Sequence, residues 1–207
     1  MSGRFETGIE LLDRRLSGGV PRGSLTAVLA PPASQSELLL YEIATARPTL
    51  YVSPVRAVDD VDSAMVGLRR ARDDIVVTSV DPTEPEMVLR LLDALPDAST
   101  LVVDPMEVFE ALPAARYWSF LNDLRDGLDA ANAVGFLHCL NGRQVPAHRD
   151  TTEYVADLVF ELSTERRGDV VENYLTVPKF RGGEALEDVI KLTLTTDVDV
   201  DVSRNIV

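Results

Sequence analysis

One short turn stands where an α/β protein most often binds phosphate, between the first apolar run and the first helical pattern. The turn consists of Ala30, Pro31, Pro32, Ala33, Ser34, Gln35, Ser36 and Glu37. A phosphate-binding loop reads G-x-x-x-x-G-K-[ST], because its glycines allow close backbone approach, its lysine reaches the β- and γ-phosphates and its hydroxyl binds magnesium. In this register the four positions hold Ala30, Gln35, Ser36 and Glu37. The turn therefore lacks the residue types that this chemistry requires.

A histidine and the single cysteine form a second chemically competent pair. His138 and Cys139 come at the end of an apolar run. A catalytic cysteine–histidine pair is conceivable, but neighbouring residues on a strand point to opposite faces of the sheet. One histidine with one cysteine is also no metal site. We therefore expect both residues to pack in the core, and we expect no metal.

The elements that must position these residues alternate between apolar runs and helical patterns. Strands are predicted at 25–29, 49–53, 75–79, 100–104 and 133–140. Helices are predicted at 36–46, 58–72, 84–95 and 115–131. Buried runs rich in β-branched residues and separated by helices are typical of a parallel sheet with helices on both faces. The last of these helices carries Tyr117, Trp118 and Phe120, for which we expect core or interface packing.

The pattern changes after Asn141. Strands are predicted at 158–163, 170–177 and 190–196 without helices between them, which indicates an antiparallel extension. The sequence Arg166-Arg-Gly-Asp169 suits the turn of a hairpin. Strict alternation of valine and aspartate over 196–202 predicts an edge strand with one acidic face. We expect a single domain with an N-terminal segment (1–24), a parallel core (25–140) and a C-terminal part of antiparallel strands and acidic tail (141–207).

Composition indicates a protein adapted to salt. The chain of 207 residues has a formal net charge of −14, with 20 Asp, 14 Glu and 18 Arg but only the two lysines Lys179 and Lys191. Short, well-hydrated aspartates keep a surface soluble where salt screens charge. No apolar run approaches the length of a membrane span, and the N-terminal residues 1–13 carry charges throughout. The single cysteine excludes an internal disulfide, and we expect a cytoplasmic protein without membrane contact.

Five motifs in order resemble those of KaiC-like and RadA-like ATPases of the RecA superfamily. They are Thr7-Gly-Ile-Glu-Leu-Leu-Asp13, Gly18-Gly-Val-Pro-Arg-Gly-Ser24, Tyr51-Val-Ser53, the Walker B-like Leu101-Val-Val-Asp104, and Val177-Pro-Lys-Phe-Arg-Gly182. The resemblance covers nearly the whole chain, from about residue 5 to residue 196. It implies a RecA-like fold in three layers, a parallel sheet with helices on both faces and an antiparallel C-terminal extension. With this composition, the resemblance is to a haloarchaeal type.

The resemblance also implies which catalytic groups have been replaced. The phosphate-binding lysine of the family falls on Ser36 and the magnesium-binding hydroxyl on Glu37, so that Ala30–Glu37 becomes a degenerate Walker A motif. The catalytic glutamates fall near Val55 and Arg56, neither of which activates water. Asp104 keeps the position that assists magnesium. We therefore expect no enzyme activity toward ATP and no required cofactor; any nucleotide that binds is not hydrolysed.

Two further sets of residues acquire roles from the resemblance. Lys179 and Arg181 correspond to an interface finger that reaches the nucleotide of a neighbouring subunit; the alternative is pairing with acidic neighbours at a strand end. Arg143, His148 and Arg149 lie in a segment that corresponds to the loop contacting single-stranded DNA in recombinases. That loop has no aromatic residue for base stacking, so a solvated loop is the preferred interpretation.

Three functions remain open at this point. The preferred one is a non-hydrolysing pseudo-ATPase that regulates or scaffolds by docking to a protein, either an active paralogue or a second copy of itself. The second is an accessory factor of DNA repair or recombination that binds single-stranded DNA. The third is a nucleotide sensor that does not hydrolyse its ligand.

Overall fold

Apolar strands form the centre of the protein, which is a computed structural model that describes residues 3–195 and 198–200. The strands are β1 (Arg4–Phe5), β2 (Val20–Pro21), β3 (Leu25–Ala30), β4 (Thr49–Val52), β5 (Ile75–Thr78), β6 (Thr100–Val103), β7 (Val134–Leu140), β8 (Leu158–Arg167), β9 (Val170–Phe180), β10 (Ile190–Leu194) and β11 (Val198–Val200). The helices are α1 (Glu10–Arg15), α2 (Ser36–Thr45), α3 (Val58–Gly67), α4 (Glu86–Leu92), α5 (Glu107–Glu110), α6 (Ala114–Ala130) and α7 (Arg149–Val155).

Within the described residues, nine strands form one sheet in the order β11-β10-β9-β8-β3-β7-β6-β4-β5. The strands from β8 to β5 in this order are parallel, and the pairs β8–β9, β9–β10 and β10–β11 are antiparallel. Strands β1 and β2 pair separately. Because parallel strands end at the same edge, the residues that follow β3, β4, β6 and β7 meet there.

Two apolar cores cover the two faces of the sheet, because successive strand residues point to opposite sides. Along β3, Val28 and Ala30 pack with α2 and α3, whereas Ala27 and Leu29 pack with α4 and α6. The apolar residues of α6 that face the sheet follow helical spacing, for example Leu121, Leu124 and Leu128. Burial of one such leucine stabilises the fold by about 2 kcal/mol. The predicted three-layer architecture is confirmed.

The strand positions agree with those expected from the sequence, and three features differ. Helices α3 and α4 are shorter than predicted, and α7, α1 and α5 were not predicted. Strand β8 pairs in parallel with β3, so the antiparallel part begins at β9 rather than at residue 141. The hairpin turn after Arg167 is confirmed by its pairing with Val170.

Strand β11 lies at the edge of the sheet, as the valine–aspartate alternation predicts. The remainder of that pattern, at 196, 197, 201 and 202, lies outside the described residues. None of the helices in the described part of the chain has the length and apolar character to cross a membrane.

The N-terminal motif of the sequence forms a closed turn around one carboxylate. Asp13, which is buried, accepts hydrogen bonds from the backbone N–H of Thr7 at 2.6 Å and from the hydroxyl of Thr7 at 2.8 Å. The backbone N–H groups of Gly18 and Gly19 donate to the carbonyl oxygen of Asp13. Both glycines have positive φ, which a residue with a side chain rarely adopts. This motif positions the start of β3.

Candidate functional site

Four polar side chains form a hydrogen-bonded cluster where the parallel strands end. We call Ser36, Tyr51, Asp104 and His138 the strand-end network. Ser36 is the first residue of α2, Tyr51 lies in β4, Asp104 directly follows β6 and His138 lies near the end of β7. Each residue is buried, with exposed fractions of 2%, 0%, 5% and 4% respectively. The network therefore includes Ser36, which falls at the lysine position of the resembled family, and Asp104, which falls at its magnesium-assisting position.

Hydrogen bonds connect the network in a fixed order. The hydroxyl of Ser36 lies 2.9 Å from Nε2 of His138, and Nδ1 of the same ring lies 2.5 Å from Oδ1 of Asp104. The hydroxyl of Tyr51 donates to Oδ2 of Asp104 at 2.5 Å. Both carboxylate oxygens of Asp104 are thus engaged by neighbouring side chains.

The charges in the network favour an ionised Asp104. Burial raises the pKa of this carboxyl, but the hydrogen bond and charge of His138 and the Tyr51 hydroxyl outweigh burial and lower the pKa below 3.8. Burial and the charge of Asp104 raise the pKa of Tyr51 well above its usual range, so the phenol keeps its proton and donates. Because an ionised carboxylate only accepts, Nδ1 of His138 donates to it. In the neutral ring, Nε2 then accepts from Ser36.

A second polar contact continues beside the network. The guanidinium of Arg56 donates to the hydroxyl of Tyr41 at 2.7 Å, and the rings of Tyr41 and Tyr51 lie 5.8 Å apart. Val55 is exposed. These are the positions at which the sequence resemblance predicts the family's glutamates, and neither residue supplies a carboxylate.

Hydrogen bonds to backbone carbonyl oxygens fix the turn from Ala30 to Glu37. The hydroxyl and the N–H of Ser34 both donate to the carbonyl oxygen of Pro31, and the N–H of Asn141 donates to the carbonyl oxygen of Ala30. Pro32, Ala33 and Gln35 are exposed. The turn is therefore a surface loop that covers the buried Ser36.

Lys179 and Arg181 contact the end of α7. The ammonium of Lys179 donates to the carbonyl oxygens of Glu153 and Tyr154, at 2.6 and 2.8 Å. The guanidinium of Arg181 donates to the Tyr154 carbonyl at 2.9 Å and lies 3.8 Å from the carboxylate of Asp157. Cations at the C-terminus of a helix stabilise its free carbonyls. Both side chains thus have a structural role within this chain.

The predicted nucleic-acid loop is divided by the fold. Arg143 is exposed, and His148 is half-buried and stacks on the ring of Tyr117. Arg149 is 2% exposed and pairs with Glu107 at 2.7 Å and Glu110 at 2.9 Å. The preferred prediction of a solvated loop is therefore wrong for Arg149, whose guanidinium binds two carboxylates inside the protein, and the same contacts count against the alternative of DNA binding by Arg149.

Two aromatic side chains face solvent beside this region. Trp118 on α6 is 54% exposed and Tyr154 on α7 is 77% exposed, and both line one shallow groove. The ammonium of Lys179 lies 5.7 Å from the ring centre of Tyr154. The neighbouring Tyr117 and Phe120 are buried, as predicted for core packing. Trp118 and Tyr154 are called the aromatic pair below.

The sequence alone did not reveal the role of His138. We expected core packing of this residue, and it is indeed buried, but it also connects Ser36 to Asp104. The available signal was its place near the end of a strand whose neighbours end in the loop of Ser36 and in Asp104. Cys139 packs in the core as expected, and burial raises the pKa of its thiol.

The layers and strand order define a RecA-type α/β domain. The fold is similar to that of the KaiC-like protein PH0186 from Pyrococcus horikoshii OT3, with a TM-score of 0.80, 14% identity, and coverage of 97% of this chain and 100% of that one. It is also similar to the flagellar accessory protein FlaH from Methanocaldococcus jannaschii, with a TM-score of 0.76, 14% identity, and coverage of 98% and 100%. In sequence the chain belongs to a family of unknown function, DUF7125, which it matches over residues 4–207. No curated protein matches it.

Proposed function

We propose that this protein is a non-hydrolysing RecA-type domain, a pseudo-ATPase that regulates or scaffolds by docking to another protein. The observation that carries the proposal is the strand-end network. Magnesium at Asp104 would have to displace hydrogen bonds from His138 and Tyr51, both in a buried place where a lost partner costs about 1–3 kcal/mol. Ser36, in the lysine position, is itself bonded to His138.

Charge at the start of α2 further disfavours ATP hydrolysis. Phosphoryl transfer depends on positioning the phosphates and neutralising their charge. Glu37 places a carboxylate in the first turn of α2, where it suits the helix dipole and repels an incoming phosphate. Ser36 and Glu37 together supply none of the positive charge that a phosphate-binding lysine brings.

Phosphate release from Mg-ATP tests the hydrolytic part of the proposal. We expect no release above the background of a mock purification, and no change in the melting temperature on addition of Mg-ATP. The matched variant is Asp104→Asn, which removes the charge that could assist magnesium. Turnover by the wild-type protein that Asp104→Asn abolishes would overturn the proposal.

The aromatic pair is the surface we assign to docking. Large exposed aromatic residues are enriched in protein interfaces, where their area is buried at small entropic cost. The groove of the pair is lined by Trp118, Asn122, Asp150, Thr151, Tyr154 and Val155, so we infer a partner that brings an exposed apolar contact residue. A second copy of this acidic chain or a paralogue of similar composition fits that description. One structural neighbour, FlaH, is itself a flagellar accessory protein.

Affinity capture at high salt tests docking, with Trp118→Ala plus Tyr154→Ala as the variant. The control is Val189→Ala, which removes an apolar side chain that is 58% exposed elsewhere. We expect the double variant to lose the partner that the wild type and the control retain. Identical partners for all three proteins would contradict this surface assignment.

The accessory role on single-stranded DNA has weaker support. Of its three predicted residues, Arg149 is occupied by Glu107 and Glu110 and His148 is half-buried against Tyr117. One exposed arginine, Arg143, in a chain of net charge −14 is a small electrostatic contribution to nucleic-acid binding.

A further inference from the structure

Three residues of the strand-end network stand in the order hydroxyl, imidazole, carboxylate. Ser36 Oγ and His138 Nε2 are 2.9 Å apart, and His138 Nδ1 and Asp104 Oδ1 are 2.5 Å apart. With Nδ1 donating to the carboxylate, Nε2 has a free lone pair toward the hydroxyl. This is the arrangement in which a histidine acts as general base on a serine, while the carboxylate fixes the ring and stabilises its protonated form.

The surrounding elements hold that arrangement rigidly. The three side chains belong to α2, to β7 and to the residue after β6, so none of the three depends on a long loop. Tyr51 donates to the second oxygen of Asp104 at 2.5 Å and thereby fixes the carboxylate. Side chains oriented by such supporting hydrogen bonds keep the geometry that catalysis requires.

Ser36 also lies where an oxyanion can be stabilised. It begins α2, and the first backbone N–H groups of a helix have no carbonyl partner within the helix. Those N–H groups and the positive end of the helix dipole favour negative charge on the oxygen of a carbonyl group whose carbon is bonded to Ser36 Oγ, while the neighbouring carboxylate of Glu37 opposes it. A nucleophile and its base therefore meet at the start of a helix.

The environment of Ser36 restricts the substrate. Because Ser36 is 2% exposed and lies beneath the turn after β3, small substrates are favoured over large ones. The carboxylate of Glu37, the next residue, repels anionic substrates such as phosphate esters. Neutral carboxylic esters with short acyl chains remain as the substrate class.

We propose that Ser36, His138 and Asp104 form a hydrolytic triad for short neutral carboxylic esters. Oγ of Ser36 bonds to the carbonyl carbon while its proton passes to Nε2 of His138. The bond from carbon to the leaving oxygen then breaks, and Nε2 returns the proton to the departing alcohol. A water molecule then gives a proton to Nε2 and bonds to the acyl carbon. The bond from that carbon to Oγ breaks, Oγ takes the proton back from Nε2, and the carboxylic acid leaves. This activity is independent of the proposed pseudo-ATPase role, since it involves esters and no phosphate.

Two measurements on the full chain test the triad. Methanesulfonyl fluoride, a small neutral reagent for activated serines, is added to the folded protein, and the adduct is located by mass spectrometry. Hydrolysis of p-nitrophenyl acetate is compared with that of p-nitrophenyl octanoate. We expect one adduct on Ser36, and turnover of the acetate faster than that of the octanoate. Ser36→Ala should lose the adduct and lower the acetate rate by about 100-fold or more.

Ser99→Ala is the matched control, because Ser99 is also buried but donates only to the Pro96 carbonyl, at the opposite edge of the sheet. It should retain both the adduct on Ser36 and the acetate rate. Melting temperatures of all variants report folding, and His138→Gln should lower the rate while Ser36 remains present. A folded wild-type protein without an adduct on Ser36, or an acetate rate unchanged in Ser36→Ala, would overturn the triad. Either result leaves the ATP and docking tests unaffected.

Discussion

Asp104 satisfies two buried donors, and this requirement distinguishes it from the acidic residues of the surface. In Asp104→Asn the amide oxygen accepts one hydrogen bond, but the amide nitrogen meets either His138 or Tyr51, each of which donates. One buried donor loses its acceptor, so we expect a loss of about 1–3 kcal/mol in the free energy of unfolding. Urea denaturation measures this, and exposed Asp62→Asn is the control. Equal stability of Asp104→Asn and wild type would contradict the network.

The same variant has a defined dependence on pH. The pKa of Asp104 is lowered from 3.8 in the folded protein, so the folded and unfolded chains bind equal numbers of protons at this group only above about pH 5. As the pH falls from about 5 through the folded pKa, the contribution of Asp104 to stability disappears. The stability difference between wild type and Asp104→Asn should therefore be constant above about pH 5 and shrink below it. A difference that grows on acidification would give the wrong sign.

Arg149 and Arg143 offer a direct comparison between a buried and an exposed arginine. Arg149→Met leaves Glu107 and Glu110 without their cation in the interior, which we expect to cost about 3–5 kcal/mol. Arg143→Met at the exposed loop should change stability by about 0.5 kcal/mol or less. Thermal and urea denaturation of both variants check this. Similar stabilities for the two would show that the internal pairing of Arg149 contributes little.

At the scale of elements, α7 depends on residues far along the chain. Lys179→Met keeps an apolar stem but removes the donor to the Glu153 and Tyr154 carbonyls. We expect amide hydrogen exchange in α7 to accelerate by about tenfold, which is 1.4 kcal/mol. Lys191→Met is the control, because Lys191 pairs with Glu172 on β9 at 2.8 Å. An unchanged exchange rate in α7 would show that Lys179 does not stabilise this helix. The predicted role of Lys179 at a subunit interface would then be the better explanation.

The parallel elements could be predicted from the sequence because their signal is local. Apolar β-branched runs such as 100–103 are recognisable without knowledge of their neighbours. Helix α7 was missed because its sequence carries little apolar periodicity; its stability comes from Lys179, Arg181 and the buried Arg149. The strand-end network was missed because its contacts join residues that are distant in the sequence. Ser36 and His138 are 102 positions apart in the chain, and only the order of the strands brings them together.

At the scale of the whole molecule, negative charge covers a surface on which lysine is nearly absent. Both lysines have identified partners, the α7 carbonyls for Lys179 and Glu172 for Lys191. The net charge of −14 is therefore spread over a surface with few compensating lysines. Self-repulsion of such a surface destabilises the compact state unless salt screens it. The composition thus affects stability as well as solubility.

This argument predicts that salt stabilises the fold. Raising KCl from about 0.15 M to about 1 M shortens the screening length from about 8 to about 3 Å. We expect the melting temperature to rise by about 4 °C or more, which corresponds to about 1–2 kcal/mol for a chain of this length.

Two double variants separate net charge from local effects. Asp126→Asn plus Asp129→Asn removes carboxylates near the end of α6, and Asp59→Asn plus Asp60→Asn removes them from the first turn of α3. Both make the net charge of −14 less negative by the same amount, but only the α6 carboxylates also oppose the helix dipole. At low salt the α6 variant should therefore melt higher than the α3 variant, and at about 1 M KCl the difference should fall as the salt screens both terms. A wild-type melting temperature that is independent of KCl would show that repulsion among the surface carboxylates does not limit stability.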